Sequence, residues 1–258
     1  MVSNDCESPM TVKPARKAPL KTAMVLAAGF GKRMMPLTEK TPKPLLEVGG
    51  RAMLDRTLDK AAAAGVTRAV VNSHYLAERI ADHVKGRSAP DIVVSHEAEI
   101  LETGGGVLKA LGDLGDDPFF VLNSDTVWDD GPTPALSRMA AAWDPARMDA
   151  LLLLHPTVAA FGYGGKGDFH MDVEGHLLRR SENEIAPFVF TGNQILNPAL
   201  FDGLSPGRFS LNTVYDRALE AQRLFGIRHD GAWYHVGTPD SLDRTNAIFH
   251  KSAQPIYF

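Results

Sequence analysis

Residues 22–46 read TAMVLAAGFGKRMMPLTEKTPKPLL, in which an apolar run is followed by a glycine-containing turn and then by cations and prolines. The run Thr22 to Ala28 is short and bounded by glycine, which predicts a buried strand of an α/β sheet. Gly29 and Gly31 can adopt positive φ and let backbone N–H groups approach an anion, and the two cations that follow add positive charge. Because backbone donors and a guanidinium suit phosphate oxygens, this stretch predicts a strand that leads into a phosphate-binding loop.

The loop differs from the two commoner phosphate-binding motifs. A dinucleotide-binding fingerprint needs a third small residue where Met34 stands, and a P-loop needs glycine where Leu26 stands. Three prolines between residues 34 and 45 exclude a continuous helix there, so we expect Lys43 to lie on a stiffened, extended segment. A lysine on a rigid segment can be aimed at one phosphate.

The size and composition of the chain indicate one domain. With 258 residues and 44% hydrophobic content, residues 21–258 can bury one large core, and residues 1–20 are predicted to form a disordered tail. The formal net charge of -4 argues against nucleic acid or an anionic membrane as the main partner, and no segment is apolar enough to span a bilayer. The single cysteine, Cys6, excludes an internal disulfide, so we expect a cytoplasmic protein, either a monomer or a small homo-oligomer.

Apolar segments with strand and helix periodicity alternate along most of the chain. After the first strand we predict helices over 54–65, 76–84, 107–111 and 131–147 and strands over 69–72, 92–95, 119–123 and 150–154. Short strands near 169, 177 and 188–195 form a small antiparallel lobe over about 155–235, followed by a helix over 213–222, a strand over 224–228 and a last helix capped by Thr238. The pattern predicts an α/β fold with a mostly parallel mixed sheet covered by helices.

One carboxylate is placed to bind a metal ion. Asp125 directly follows the predicted strand 119–123, and ligands of such sheets bind beyond the carboxyl ends of the strands. An Asp in this position is commonly a turn or helix-cap residue. Next to a phosphate loop, it predicts a ligand that holds Mg²⁺ against phosphate oxygens.

A second glycine-rich segment, Glu102-Thr103-Gly104-Gly105-Gly106, precedes a predicted helix. Three consecutive glycines are costly unless a ligand or another backbone comes very close, so we expect a loop against which a flat base packs. A flexible helix-start loop is the alternative. Glu97 lies just upstream and could accept the imide N–H of a pyrimidine or the N1–H and amino group of guanine.

Two weaker segments could contact an acceptor sugar. Gly165-Lys166-Gly167-Asp168 combines flexibility with charge and could close over a sugar phosphate, although a solvent-exposed turn fits equally well. Thr191-Gly192-Asn193 follows a predicted strand and offers a hydroxyl, an open backbone and an amide to sugar hydroxyls. Asn as a turn former is the competing interpretation.

The strings Leu-Ala-Ala-Gly, Gly-x-Arg, Pro-Leu-Thr and Pro-Lys-Pro occur in this order between residues 26 and 44, and this order resembles the signature of the sugar-1-phosphate nucleotidyltransferases. Within that family the chain looks most like the short bacterial N-acetylmuramate-1-phosphate uridylyltransferases. The similarity runs from about residue 21 to the last helix and includes residues 101–106, 123–125, 167–169, Trp233 and the Val-Gly-Thr at 236–238.

The resemblance implies a Rossmann-like, GT-A-like fold and the reaction of an NTP, UTP by preference, with a sugar 1-phosphate to give an NDP-sugar and pyrophosphate, in cell-wall recycling or related envelope sugar metabolism. Small-molecule NTP and sugar 1-phosphate are then the partners, and Mg²⁺ or Mn²⁺ the cofactor. The implied catalytic residues are Arg33, Lys43 and Asp125. The implied nucleotide-binding residues are Ala27, Ala28, Gly29, Gly31, Lys32, Glu97, Thr103, Gly104 and Asn123. The implied sugar-phosphate-binding residues are Lys166, Asp168, Thr191, Gly192 and Asn193.

One position departs from the family pattern. Relatives usually carry an Asp before Val-Gly-Thr as a second magnesium ligand, and this chain has His235 there. A neutral imidazole is a poor magnesium ligand. Three alternatives follow: the metal relies on Asp125 and the phosphates, His235 binds a softer ion such as Mn²⁺, or an imidazolium at His235 contacts phosphate.

Three other functions remain open from the sequence. A mannose-1-phosphate guanylyltransferase, or another hexose-1-phosphate nucleotidyltransferase, uses the same kind of loop. A non-catalytic nucleotide-sugar-binding regulatory protein is compatible with the missing carboxylate at His235, although the retained Arg33, Lys43 and Asp125 argue against it. A GT-A glycosyltransferase could use Asp125 in a metal motif, but it has no need of a triphosphate loop.

Overall fold

The computed structural model describes residues 19–252, which contain thirteen strands and six α-helices. The strands are β1 Thr22–Leu26, β2 Glu47–Val48, β3 Arg51–Ala52, β4 Arg68–Ser73, β5 Asp91–His96, β6 Phe119–Asn123, β7 Thr126–Trp128, β8 Ala150–Pro156, β9 Phe169–Met171, β10 Leu177–Arg179, β11 Phe188–Leu196, β12 Leu224–Arg228 and β13 Trp233–His235. The helices are α1 Met53–Ala63, α2 Ala77–Val84, α3 Glu102–Leu114, α4 Ala135–Ala142, α5 Asn212–Glu220 and α6 Pro239–Ser252.

Most of the predicted tail, including Cys6, lies outside the described residues. Of residues 1–20 the structure describes only Pro19 and Leu20. Leu20 is 8% exposed and packs into the core, so the folded part of the chain extends at least to this residue.

A nine-stranded mixed sheet organises the chain, and the predicted α/β class is confirmed. The strand order is β10-β9-β11-β6-β1-β4-β5, with β8 paired to β11 and β12. Strand β1 lies in the centre and runs parallel to β4 and β6, and β4 runs parallel to β5. Strand β11 is antiparallel to both β6 and β8, and it joins the parallel part to the antiparallel lobe. Because β1, β4 and β6 are parallel, their carboxyl ends meet at one edge of the sheet.

Helices cover both faces of this sheet. Met24 of β1 packs on one side with α3 and α5, and its neighbours Ala23 and Val25 pack on the other side with residues of α1, α2 and α4. All three side chains have no exposed surface, as expected for a parallel strand that is buried on both faces. In the part of the chain that the structure describes, no helix has the length and apolar character needed to cross a bilayer.

Several predicted elements differ from the observed ones. The glycine-rich segment 102–106 forms the first turns of α3 instead of a loop before it, and the predicted helix over 131–147 is reduced to α4. Lys43 begins a 3-10 turn, Lys43–Leu45, and does not lie on an extended segment. The sequence interpretation also missed the short strands β2, β3, β7 and β13, which are too short to show a periodic pattern.

The glycines of α3 are explained by a neighbouring segment of the same chain. A Cβ at Gly104 would overlap the ring of Phe209, and one at Gly105 would overlap the carbonyl oxygen of Gly207. Thr103 accepts a hydrogen bond from the backbone N–H of Leu211 at 3.0 Å through its hydroxyl oxygen. The close approach that the glycines permit is therefore the packing of residues 207–211 on α3.

This packing predicts opposite effects for two Gly→Ala substitutions in one helix. Gly105→Ala should lower the free energy of unfolding by about 1–3 kcal/mol, because the new methyl group meets backbone that cannot move aside cheaply. Gly112→Ala, whose Cβ would meet no atom within 4 Å, should raise it by about 0.5–1 kcal/mol. Urea denaturation of both variants measures this, and equal effects would contradict the proposed packing.

Candidate active site at the ends of the central strands

The loop after β1 is closed at one end and open at the other. Gly31 has a φ of +62°, and a Cβ there would lie 3.0 Å from Thr38 and 3.1 Å from Lys43, so a side chain is excluded. Its carbonyl oxygen accepts hydrogen bonds from the hydroxyl of Thr38 at 3.0 Å and from the backbone N–H of Met34 at 2.8 Å. A Cβ added at Gly29 would meet no atom within 4 Å, and Gly29 does not have the positive φ that we expected. The loop therefore leaves open space beside Gly29.

The predicted cation and the predicted carboxylate are direct partners. Lys43 Nζ donates to Asp125 Oδ2 at 2.8 Å. The Lys43 side chain is 9% exposed, whereas that of Asp125 is 39% exposed and faces the cleft. A buried ammonium needs a partner such as Asp125, because removing its charge from water is costly. Next to Asp125 in the chain, the hydroxyl of Ser124 donates to the carbonyl of Leu26 at 2.6 Å and connects the end of β6 to the end of β1.

A cleft of about 330 Å³ lies at this edge of the sheet. It brings together eleven of the twelve residues predicted for catalysis or nucleotide binding: Ala27, Ala28, Gly29, Gly31, Lys32, Arg33, Lys43, Glu97, Thr103, Asn123 and Asp125. The exception is Gly104, which is buried against Phe209 and does not line the cleft. The lining residues that sequence analysis missed include Asn72, Ile100, Ser124 and Gly237.

Glu97 is almost completely buried at the inner wall of the cleft, with 1% exposed surface. Its Oε1 accepts from the side-chain amide of Asn72 at 2.7 Å, and its Oε2 accepts from the backbone N–H of Leu101 at 3.1 Å. Asn72 in turn accepts from the backbone N–H of Ala27 at 2.6 Å. The one sequence signal for Asn72 is its place as a polar residue directly after the apolar run 69–71 of β4.

The residues predicted for the sugar phosphate do not line this cleft. Thr191 and Asn193 are 1% and 0% exposed, and the Thr191 hydroxyl donates to the carbonyl of Leu153 at 2.9 Å, so neither side chain is open to a ligand. Gly192 packs against Asn123, and a Cβ there would lie 2.6 Å from the Asn123 amide nitrogen. Thr191, Gly192 and Asn193 therefore lie buried within β11, behind the residues that line the cleft. This corrects the expectation that they contact sugar hydroxyls.

Asp168 and Lys166 lie on the loop before β9. The Asp168 carboxylate accepts from the backbone N–H of Phe190 at 2.8 Å, at the irregularity where β11 leaves its regular pairing with β8. The Lys166 side chain is exposed, and its carbonyl accepts from the N–H of Ala186. Asp168 therefore holds the lobe together, and Lys166 remains free to approach solvent at the lobe surface.

A second cleft, of about 320 Å³, adjoins the first and shares Arg33 and Gly237 with it. Its other lining residues are Gly162, Tyr163, Gly164, Gly165, His235, Thr238 and Ser241. Arg33 thus stands between two concave surfaces. One of them is formed by the phosphate loop and the strand ends, and the other by the lobe and the start of α6.

His235 lies beside Asp125 because β13 pairs with β7, in which Thr126 is the partner of His235. Burial lowers the pKa of His235, and the positive charges of Lys43 and Arg33 lower it further against the opposing effect of Asp125. In the protein without ligand, this shift favours the neutral ring at pH 7. Of the three alternatives drawn from the sequence, it opposes the one in which an imidazolium at His235 contacts phosphate.

The donor set at this site fits a cation that brings its own further ligands. Among residues 19–252 no three His, Cys, Asp or Glu side chains come together as a metal cluster. Asp125 offers a carboxylate that is 39% exposed and lines the cleft of about 330 Å³. Mg²⁺ typically takes one or two protein carboxylates and completes its shell with phosphate oxygens and water, which matches this arrangement.

Comparison with known proteins agrees with this geometry. The nucleotidyl transferase family model matches residues 22–252. The N-acetylmuramate alpha-1-phosphate uridylyltransferase of Caulobacter vibrioides is 42% identical over 226 residues, covering 86% of this chain and 93% of that protein. The protein of the same name from Neisseria meningitidis serogroup B is 33% identical, covering 88% and 97%. The structure of a UDP-glucose pyrophosphorylase complexed with UDP-glucose superposes with a TM-score of 0.74 at 15% identity, covering 90% and 99%, and shows the same fold.

The charges around His235 predict its titration. Because its pKa lies below the ordinary 6.5, the NMR signal of the His235 ring should titrate with a midpoint below pH 6.5. Lys43→Met removes one repelling charge and should raise that midpoint, since protonation then costs less. Lys109→Met, which removes an exposed lysine of α3, is the matched control and should leave it unchanged. A midpoint that stays constant or falls in Lys43→Met would contradict this electrostatic description.

Proposed function

Because this chain belongs to the nucleotidyl transferase family, we propose that it transfers the uridylyl group of UTP to N-acetylmuramate 1-phosphate and releases pyrophosphate. The observation that carries the proposal is the Lys43–Asp125 pair in a cleft beside an open glycine loop. The two uridylyltransferases with 42% and 33% identity, which this chain matches along almost their whole length, support the choice of base and sugar.

The reaction joins two anions, so its main requirement is charge neutralisation and alignment. A phosphate oxygen of the sugar phosphate forms a bond to the α-phosphorus, and the bond from that phosphorus to the bridging oxygen of the pyrophosphate breaks. The sugar phosphate is already an anionic nucleophile, and no general base is needed. Arg33 and the backbone N–H groups of residues 29–31 hold the leaving pyrophosphate, and Lys43 contacts the α-phosphate.

Asp125 is the residue that would hold Mg²⁺, together with the phosphate oxygens of the nucleotide. The ion supplies further neutralisation of the charge that develops on the triphosphate. In the protein alone, one oxygen of Asp125 is engaged by Lys43. A phosphate that drew the Lys43 ammonium toward the nucleotide would free that oxygen for the cation. The His235 ring would offer a nitrogen ligand, which suits Mn²⁺ better than Mg²⁺.

The second cleft is the place that we propose for the acceptor. Arg33 lines both clefts and can neutralise the two phosphates that must meet. Tyr163 and the glycines around it face this space, and the exposed Lys166 follows them on the same loop. We therefore place Lys166 near the incoming sugar phosphate and assign Asp168 to the support of that loop. The proposal also includes a cytoplasmic location and a role in cell-wall sugar recycling.

Removing either predicted cation should impair the chemical step. By analogy with the loss of one preorganised donor, Arg33→Ala and Lys43→Ala should each lower kcat by about 10² to 10³, or about 3 to 4 kcal/mol. Lys40→Ala, which removes an exposed lysine outside the cleft, should stay close to the wild type. Pyrophosphate release measures all three, and a loss below about tenfold for Arg33→Ala or Lys43→Ala would remove that residue from the mechanism.

A substrate matrix tests the assignment of base and sugar. UTP, GTP, dTTP, CTP and ATP are each combined with the 1-phosphates of N-acetylmuramate, glucosamine, glucose and mannose, and pyrophosphate release is measured. We expect the strongest signal for UTP with N-acetylmuramate 1-phosphate. A preference for GTP with mannose 1-phosphate would replace this substrate pair, and release with none of the pairs would indicate a nucleotide-sugar-binding regulatory protein.

A further inference from the structure

Asn72 is a buried amide that links two parts of the proposed nucleotide site. It is 2% exposed and lies near the carboxyl end of β4. Its Oδ1 accepts from the backbone N–H of Ala27, the first residue after β1, and its Nδ2 donates to Glu97. The two contacts fix the orientation of the amide, because the side with the acceptor faces a donor and the side with the donor faces a carboxylate. A ligand in the cleft is therefore bordered by a side chain that cannot turn over.

The Glu97 carboxylate is held entirely by neutral N–H donors. Oε1 is engaged by Asn72 and Oε2 by the backbone of Leu101, and among the described residues no Lys, Arg or His side chain forms an ion pair with Glu97. Gly106 of α3 leaves the space for this contact, because a Cβ there would lie 2.8 Å from Glu97 Oε1 and 2.9 Å from Asn72 Nδ2. The Asn72–Glu97 contact thus depends on three elements, since Asn72 lies on β4, Glu97 follows β5, and Gly106 lies on α3.

The oxygen positions left to a ligand limit which base can bind. Each Glu97 oxygen accepts one protein donor and keeps a second lone pair for a donor of the ligand. Uracil, the base of the proposed substrate, presents an imide N–H that can donate to such an oxygen. Cytosine has an unprotonated N3 at the same place, which a carboxylate repels. A carboxylate held in this way therefore suits uracil better than cytosine.

We propose that Asn72 is a positioning residue that orients the Glu97 carboxylate toward the single imide N–H of uracil, so that it sets the base preference of the enzyme. This inference rests on the proposed uridylyltransferase function and adds the residue that selects the base. Asn72 acts through Glu97 and also anchors Ala27 at the start of the phosphate loop.

Few titratable groups surround the Asn72–Glu97 pair, and they lie on the neighbouring elements. His74, which follows β4, contacts the backbone carbonyl of Glu97 at 2.8 Å through Nδ1. His96 is the last residue of β5, and its backbone carbonyl accepts a hydrogen bond from Lys109 of α3. Glu102, at the start of α3, forms an ion pair with Arg208. None of these groups contacts the Glu97 carboxylate, so a charge placed at position 72 acts on it directly.

The test changes the hydrogen-bond donor Asn72 and the acceptor Glu97, first one at a time and then together. Asn72→Asp keeps an acceptor for Ala27 but sets a second carboxylate against Glu97, and it should raise the KM for UTP at pH 8 by about tenfold or more with a smaller change in kcat. Lowering the pH to 6 favours protonation of one of two neighbouring carboxylates, so the increase relative to the wild type at the same pH should shrink. The preference for UTP over CTP, expressed as the ratio of kcat/KM values, should fall together with the affinity.

Glu97→Gln alone should also raise the KM for UTP, because glutamine has one acceptor oxygen for the two donors from Asn72 and Leu101. In the double variant Asn72→Asp/Glu97→Gln the amide donates to the carboxylate in the reverse direction. That variant should return the KM for UTP to within about threefold of the wild type and lose the pH effect, since the bridge is restored without a second charge. A purely structural role would not produce this recovery.

Asn246→Asp is the matched control, because Asn246 also accepts from a backbone N–H, that of Gly49 at 2.8 Å, and lies outside the cleft. Its KM should equal that of the wild type.

Thermal denaturation of every variant separates loss of fold from loss of positioning. If Asn72→Asp does not fold, Glu97→Gln and the double variant provide the same comparison. Calorimetric binding of UTP to the same variants supplies the readout if the wild type releases no pyrophosphate, an outcome that would overturn the proposed function alone. If the wild type uses UTP but the double variant recovers neither KM nor base preference, the role of Asn72 is wrong.

Discussion

The site depends on the parallel pairing of β1 with β4 and β6. Leu26 at the end of β1 is opposite Asn123 at the end of β6, so the glycine loop and Asp125 emerge side by side. On the other side of β1, the end of β4 places Asn72 within 2.6 Å of the N–H of Ala27. The strands carry almost no chemistry themselves, but their common direction brings residues that are about a hundred positions apart to one edge.

The charged side chains at that edge of the sheet interact closely with one another. Lys43 is nearly buried and pairs with the Asp125 carboxylate, whereas Asp125 is 39% exposed and lines the cleft. Burial lowers the pKa of the neighbouring His235, and the positive charges of Lys43 and Arg33 lower it further. A polyanionic ligand in the cleft would therefore meet an arginine, a lysine and the backbone of the glycine loop, beside the carboxylate that we propose for the cation. This is the charge pattern that phosphoryl chemistry requires.

The sequence was informative where chemistry is local and misleading where it depends on distant contacts. The apolar run and glycines of residues 22–31 predicted both the central strand and the loop, and Asp125 followed from its place after β6. The glycines at 104–106 were assigned to a base because nothing in their composition reveals that Phe209 packs on Gly104, Gly207 on Gly105, and the Glu97 and Asn72 side chains on Gly106. Thr191 and Asn193 look available in the sequence, but β11 lies between β6 and β8 and buries both.

The most direct test of the proposed site is a crystal structure with a non-hydrolysable UTP analogue and Mg²⁺. We predict phosphate density against residues 29–33, an Mg²⁺ ion on Asp125, and uracil N3 within hydrogen-bond distance of Glu97. Nucleotide density at another surface, with the glycine loop and the Lys43–Asp125 pair unchanged from the structure described above, would contradict this prediction.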